Sequence, residues 1–158
     1  MEPPLAYVTV RGTTFAISTT VPATTVDTTG EYAALSYTAV GGVRTLGEFG
    51  DESQLVKFEV IGDGRTRQLA GSKDAGVIEC LCAYDIADTG QLAMIAAFDA
   101  GNEYAFRVTP NDGVITDSVF YFKGPVTAKR IVAGENNSVL SIRFNVAVNS
   151  EVLNVAAT

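Results

Sequence analysis

Cys80 and Cys82, two apart in the strand-like stretch GVIECLCAY, are the two cysteines of a 158-residue chain that contains no histidine. Histidine is the commonest general base and a frequent zinc ligand, so its absence removes most proton-transfer and zinc chemistry from consideration. On an extended strand, residues two apart share a face and lie about 6.5 to 7 Å apart, which disfavours a disulfide between them. The pair reads as buried thiols rather than as a metal site. Asp51 and Glu52 are adjacent acids that could serve acid–base work or bind Ca²⁺, but no EF-hand spacing surrounds them and acids on a loop are ordinarily solvated. GDGRTRQLAG has the composition of a phosphate-binding loop without the helix such a loop opens, and its glycines fit a turn. Asn136-Asn137-Ser138 matches a glycosylation acceptor, yet the first residues, MEPPLAYVTV, show neither the basic start nor the apolar stretch of an export signal. With no nucleophile motif either, the residue types point away from an enzyme, a cofactor or a metal.

Charge narrows the partners. Eleven Lys and Arg against eighteen Asp and Glu leave a formal charge of −7, which repels a polyanion and argues against a sequence-specific DNA reader. No run reaches the ~18 consecutive apolar residues of a membrane span, so the expectation is a protein made and kept in a cytoplasm. Hydrophobic residues make up 47% of the chain, enough for one core, and one domain is expected over residues 1–158. Mobile arms are expected at 1–6 and 150–158.

Most of the chain alternates with period two, the pattern of strands with one face inward. In SVLSIRFNVAV, Leu140, Ile142, Phe144, Val146 and Val148 share one face, and Ser141, Arg143 and Asn145 the other. NEYAFRVT repeats the pattern, and PNDG turns it toward SVFYFKG to form a hairpin. Gly124 and Pro125 are expected to interrupt the pattern before VTAKRIVA. TTFAIST and ALSYTAV read as strands joined by the Thr-rich VPATTVDTTG. LVKFEVIG and RTRQLAG flank a turn at Asp63 and Gly64, with Val56, Phe58 and Val60 on one face. Seven to nine strands follow. DIADTGQLAMIAAFDAG breaks the period: Asp88 is placed as N-cap, Gln91 stands where a capping box needs it, and Gly101 suits the C-terminus. This is the only helix expected. Leu92, Met94, Ile95 and Phe98 with its alanines leave it apolar nearly all round, so it is either sunk in the core or covered by a partner subunit. The stretch 43–64 holds a segment too long for a tight hairpin, rich in glycine and acids, and such loops are usually functional or disordered.

The order of these parts, and in particular TLGEFGDESQLVKFEVIGDGRTRQLAGSKDAG, the helix opening DTGQLAMIAAF and the hairpin NEYAFRVTPNDG, resembles the major tail tube protein of long, non-contractile-tailed bacteriophages over residues 12 to 153. The resemblance implies a mainly β fold, a β-sandwich or partly closed barrel of two packed antiparallel sheets with one flanking helix and a long inter-strand loop. It implies a structural subunit without catalytic activity, polymerising as hexameric rings stacked into a virion tail tube through which DNA passes. Tail tip, tape-measure and terminator proteins are the implied partners, with no cofactor, no metal and no membrane, and assembly is in the host cytoplasm. In that setting Glu48, Phe49, Gly50, Asp51 and Glu52 form a loop reaching a neighbouring subunit or ring and ordering on assembly. Phe49 is an anchor for a neighbour's pocket, or else folds back onto its own sandwich. Leu92, Met94, Ile95 and Phe98 form a helix interface, and Glu59 is a candidate for an acidic lumen that lets DNA slide. Two alternatives stand beside this: the tube of a contractile tail or secretion machine, and a β-sandwich ligand-binding module. The second wants exposed aromatics on a flat sheet face, and the chain has no tryptophan.

Overall fold

The computed structural model describes residues 10–23, 25–110 and 118–155. The expected N-terminal arm, residues 1–6, lies outside them.

The fold is built around one long strand. β8 (Val119–Val132) runs straight through Gly124 and Pro125, where a break was expected. Its first half pairs with β7 (Glu103–Thr109), from Val108↔Phe120 to Glu103↔Pro125, and its second half with β9 (Ser141–Ala147), from Val126↔Val146 to Val132↔Ser141. Proline and glycine thus stand where the strand changes partners, so the missing N–H falls at the handover. Gly124 is also obligatory by space: a Cβ there would collide with the carbonyl oxygen of Ala147.

From this spine the sheet spreads both ways. β1 (Thr14–Ser18) lies beside β7 and β2 (Tyr37–Ala39) beside β1. On the other side β6 (Val77–Ala83) lies beside β9 and β3 (Val43–Leu46) beside β6. The order is β2-β1-β7-β8-β9-β6-β3, antiparallel throughout. The two halves meet in one core of inward residues. Phe15, Ile17, Phe106, Val108 and Phe122 come from the first half, and Ile78, Cys80, Cys82, Ile142, Phe144 and Val146 from the second. Phe15, Phe106 and Phe122 stack in sequence with ring centroids 5.5 to 5.6 Å apart. The period-two reading of NEYAFRVT and SVLSIRFNVAV therefore holds, except that Leu140 is exposed at the strand's entry. Cys80 and Cys82 share the inward face with Sγ atoms 3.5 Å apart. The hydrogen bond to Cys82 and burial both push the Cys80 thiol pKa up, which leaves it a poor nucleophile at neutral pH.

α2 (Thr89–Ala100) begins and ends where expected. Asp88 Oδ2 accepts from Gln91 N at 2.9 Å, and Gly101 adopts the left-handed C-cap at φ 71°. The capping box is only half formed, because the Gln91 side chain has a different task. Its Nε2 donates to the carbonyls of Gly41 and Ala83, and its Oε1 accepts from Asp85 N. Gln91 is 1% exposed, so it satisfies three backbone groups that burial would otherwise leave unpaired.

A second helix was not foreseen. α1 (Thr29–Ala33) rises in the Thr-rich connector, closed by a full capping box in which Thr28 and Glu31 satisfy each other's backbone. Hydrogen bonds from the N–H groups of Asp27 and Thr28 hold the Glu31 carboxyl below its ordinary pKa. The spacing Thr28-x-x-Glu31 was a visible signal. α1 brings Tyr32 onto Tyr121, and Val26, Ala105 and Tyr121 complete a second, smaller core. Lys123 is buried beneath it, its Nζ donating to Val26 O and Asp27 Oδ1. β10 (Leu153–Val155) adds to β8 opposite Val119 to Tyr121. The C-terminal arm expected at 150–158 is therefore held as strand over 153–155, and residues 156–158 lie outside the described residues.

Candidate assembly surface

β4 (Glu52–Glu59) and β5 (Thr66–Asp74) form a two-stranded sheet of their own. The long inter-strand loop expected here is mostly this hairpin: the loop proper spans residues 47–51, and 52–55 belong to β4. Period-two alternation had placed Val56, Phe58 and Val60 on one face, and the register agrees, with Val56 opposite Leu69 and Phe58 opposite Arg67. Among the described residues, none from 52 to 74 joins either core. Val56, Val60 and Leu69 are 50%, 47% and 58% exposed, and Ile61 near the tip is fully so. The apolar face of the arm is thus uncovered, although an isolated two-stranded hairpin is marginal in water and gains stability by packing.

At its root the arm is acidic. Glu48, Asp51, Glu52 and Asp74 line one open cleft, and Glu52 and Asp74 are directly opposed across the strands. Like charges in that position repel. Asp74 accepts from Gly76 N at 2.9 Å. Glu59, the lumen candidate, is near the tip, where Thr66 Oγ1 donates to it at 3.2 Å. Arg67 and Asp63 pair beside it.

Phe49 is not an exposed anchor. Its ring meets Phe120 edge-on at 5.3 Å and Phe122 at 6.2 Å, and it packs onto the main core. The residues between Leu46 and the arm are short enough that the one large apolar side chain among them reaches the open end of its own sandwich.

The helix divides in the same way. Met94 is fully buried and joins the chain's own core with Ala97, so Met94 cannot serve an interface with another chain. Ile95 and Phe98 are half-buried against that core, and Lys129 lies over the Phe98 ring at 5.4 Å while its Nζ approaches Asp99. Leu92 alone of the four is largely exposed, at 46%. The helix packs against β8, β2 and β1, which covers one side without enclosing it.

No His/Cys/Asp/Glu cluster among the described residues could hold a metal ion, and no helix among them is long and apolar enough to cross a membrane. An acid-rooted arm with an uncovered apolar face, carried on a folded-over antiparallel sheet, suits a subunit that completes itself on another chain. The family model described as phage tail tube protein, TTP, matches residues 8–157. The chain belongs to that family. It is a structural subunit of the phage tail tube, a component of the virion tail.

Several solved structures are similar over most of the chain. The SPP1 tail tube is 14% identical with a TM-score of 0.67, covering 96% of this chain and 80% of that one. A chain of the anti-feeding prophage baseplate is 10% identical with a TM-score of 0.66, covering 99% and 98%. A chain in the tail of the gene transfer agent particle is 20% identical with a TM-score of 0.60, covering 90% and 95%. No curated protein sequence matches the chain.

Proposed function

We propose that this tail tube subunit polymerises in the host cytoplasm as hexameric rings stacked into a hollow tube. The channel is acidic and passes viral DNA without gripping it, and the subunit has no catalytic role. The observation that carries this reading is the arm: an eight-residue and a nine-residue strand paired only with each other, exposing an apolar face that a second copy of the chain would cover. A ring of six chains, each at −7, would carry about −42, a field that keeps DNA off the wall. Glu59 remains the candidate for a lumen position, and tail tip, tape-measure and terminator proteins are the partners at the ends of such a tube.

The test is to shorten the arm. Glu52 and Asp74 are register partners, so replacing residues 53–73 by Asn-Gly closes the hairpin with a two-residue turn. The expected outcome is a monomer with unchanged thermal stability that forms no rings or tubes by negative-stain microscopy. Tubes from the shortened chain would refute the reading.

The baseplate likeness supports a second reading, a tube within a contractile tail or injection machine. Co-purification of the assembled tube with a sheath protein would decide for it.

A further inference from the structure

The two ends of the half-sheet β8-β9-β6-β3 are unlike. At the end where β6 starts, the arm leaves, and Glu48, Asp51, Glu52 and Asp74 gather at its root. At the other end, about 20 Å along β6, three arginines gather on the face turned away from the core. Arg130 and Arg143 are directly opposed across β8 and β9, and Arg44 Nη1 donates to Ser141 Oγ at 3.0 Å. Glu79 Oε1, 3.7 Å from Arg143 Nη1, offsets one of them. The nearby carboxylates Asp85 and Asp88 are engaged with backbone N–H groups, and Arg130 makes no hydrogen bond or ion pair among the described residues. Beside the arginines the same end exposes Ile131, Val132, Val139 and Leu140 together with Tyr84 and Ile86.

Each end therefore holds an opposed pair of like charges, Glu52 with Asp74 and Arg130 with Arg143, which is unfavourable alone and complementary to the other. Each also has apolar surface without cover. We propose that the arm root of one subunit docks on the arginine end of another copy, Glu52 and Asp74 facing Arg130 and Arg143. The Val56, Phe58 and Val60 face of the arm lies over the neighbour's Val132, which shares the face of Arg130 and Arg143. The two surfaces differ, so the contact is head-to-tail, the kind that repeats along an axis when its rotation does not close, as stacking along a tube requires. This rests on the tube reading and names the surface that receives the arm.

Charge reversal tests it. Glu52→Arg and Arg130→Glu, each alone, should remain folded monomers by circular dichroism and raise the critical concentration for tubes about ten-fold or more. The double variant should assemble again. So should an equimolar mixture of the two single variants, because alternating copies then oppose unlike charges at every contact. Single variants that assemble like the parent, or a double variant and mixture that both stay monomeric, would overturn the proposal. It is equally overturned if Arg130→Glu leaves tubes intact but cuts their retention of a DNA oligonucleotide, since the arginines would then face nucleic acid. A parent chain that forms no tubes at all sinks the tube reading and this contact with it, whereas parent tubes indifferent to the reversals sink the contact alone.

Discussion

Phe49 shows how a side chain's neighbours in sequence can leave its role open. Flanked by Glu48 and Gly50, it could be read as an anchor for another chain or as folded back onto its own sandwich, and its ring lies against Phe120 and Phe122. Its replacement therefore has a cost in stability, separable from assembly. Phe49→Ala should lower stability by about 2 kcal/mol, below the range for a fully buried phenylalanine because the ring is only half-buried, and chemical denaturation of the monomer measures it. A variant as stable as the parent would return Phe49 to the role of an anchor for another chain. Gln91 teaches the converse. A glutamine three residues after an N-cap signals a capping box, and nothing local reveals that its amide instead reaches Gly41 and Ala83, residues far off in the chain or beyond the turn.

Among the elements, β8 and the arm decide the architecture. Gly124 and Pro125 were legible as an interruption, and locally they are one, since neither favours a central strand. What no local pattern contains is that the two halves of the strand pair with different neighbours, so that the weak point of one ladder is the start of another. Gly124→Ala tests this. With the Ala147 carbonyl in the way of any Cβ, the substitution should cost about 3 kcal/mol or abolish folding, read by thermal melting; a neutral result would mean the strand can separate there freely. The arm is the opposite case. Its alternation was read correctly, but alternation reports only that a face is apolar, not what covers it. Val56, Phe58 and Val60 face out from the monomer because no other strand among the described residues packs over them.

Across the whole molecule, stability is uneven. Among the described residues, the two cores are contained within 10–50 and 75–155, and the arm between them pairs only with itself. Amide hydrogen exchange in the monomer should therefore be fast in β4 and β5 and slow in β6, β7 and β9, since local opening of the arm breaks no core contact. In the assembled tube, β4 and β5 should become protected by at least about ten-fold, a minimum set by burial of their apolar face. Equal protection of the arm in monomer and tube would show that it is not part of any contact between subunits.

Sequence alone settled the mainly β class, the strands with strict alternation and both ends of α2, because period-two burial, Asp88 capping and the Gly101 turn are local properties of a chain, and the order of those parts carried the family resemblance. α1 was also within reach, through Thr28 and Glu31. Tertiary structure decided which apolar faces are covered, how β8 joins the two halves of the sheet, and that Phe49 and Met94 belong to the chain's own core while the arm and Leu92 do not. Burial and charge opposition depend on which distant strands come together, and no pattern of neighbouring residues encodes that pairing.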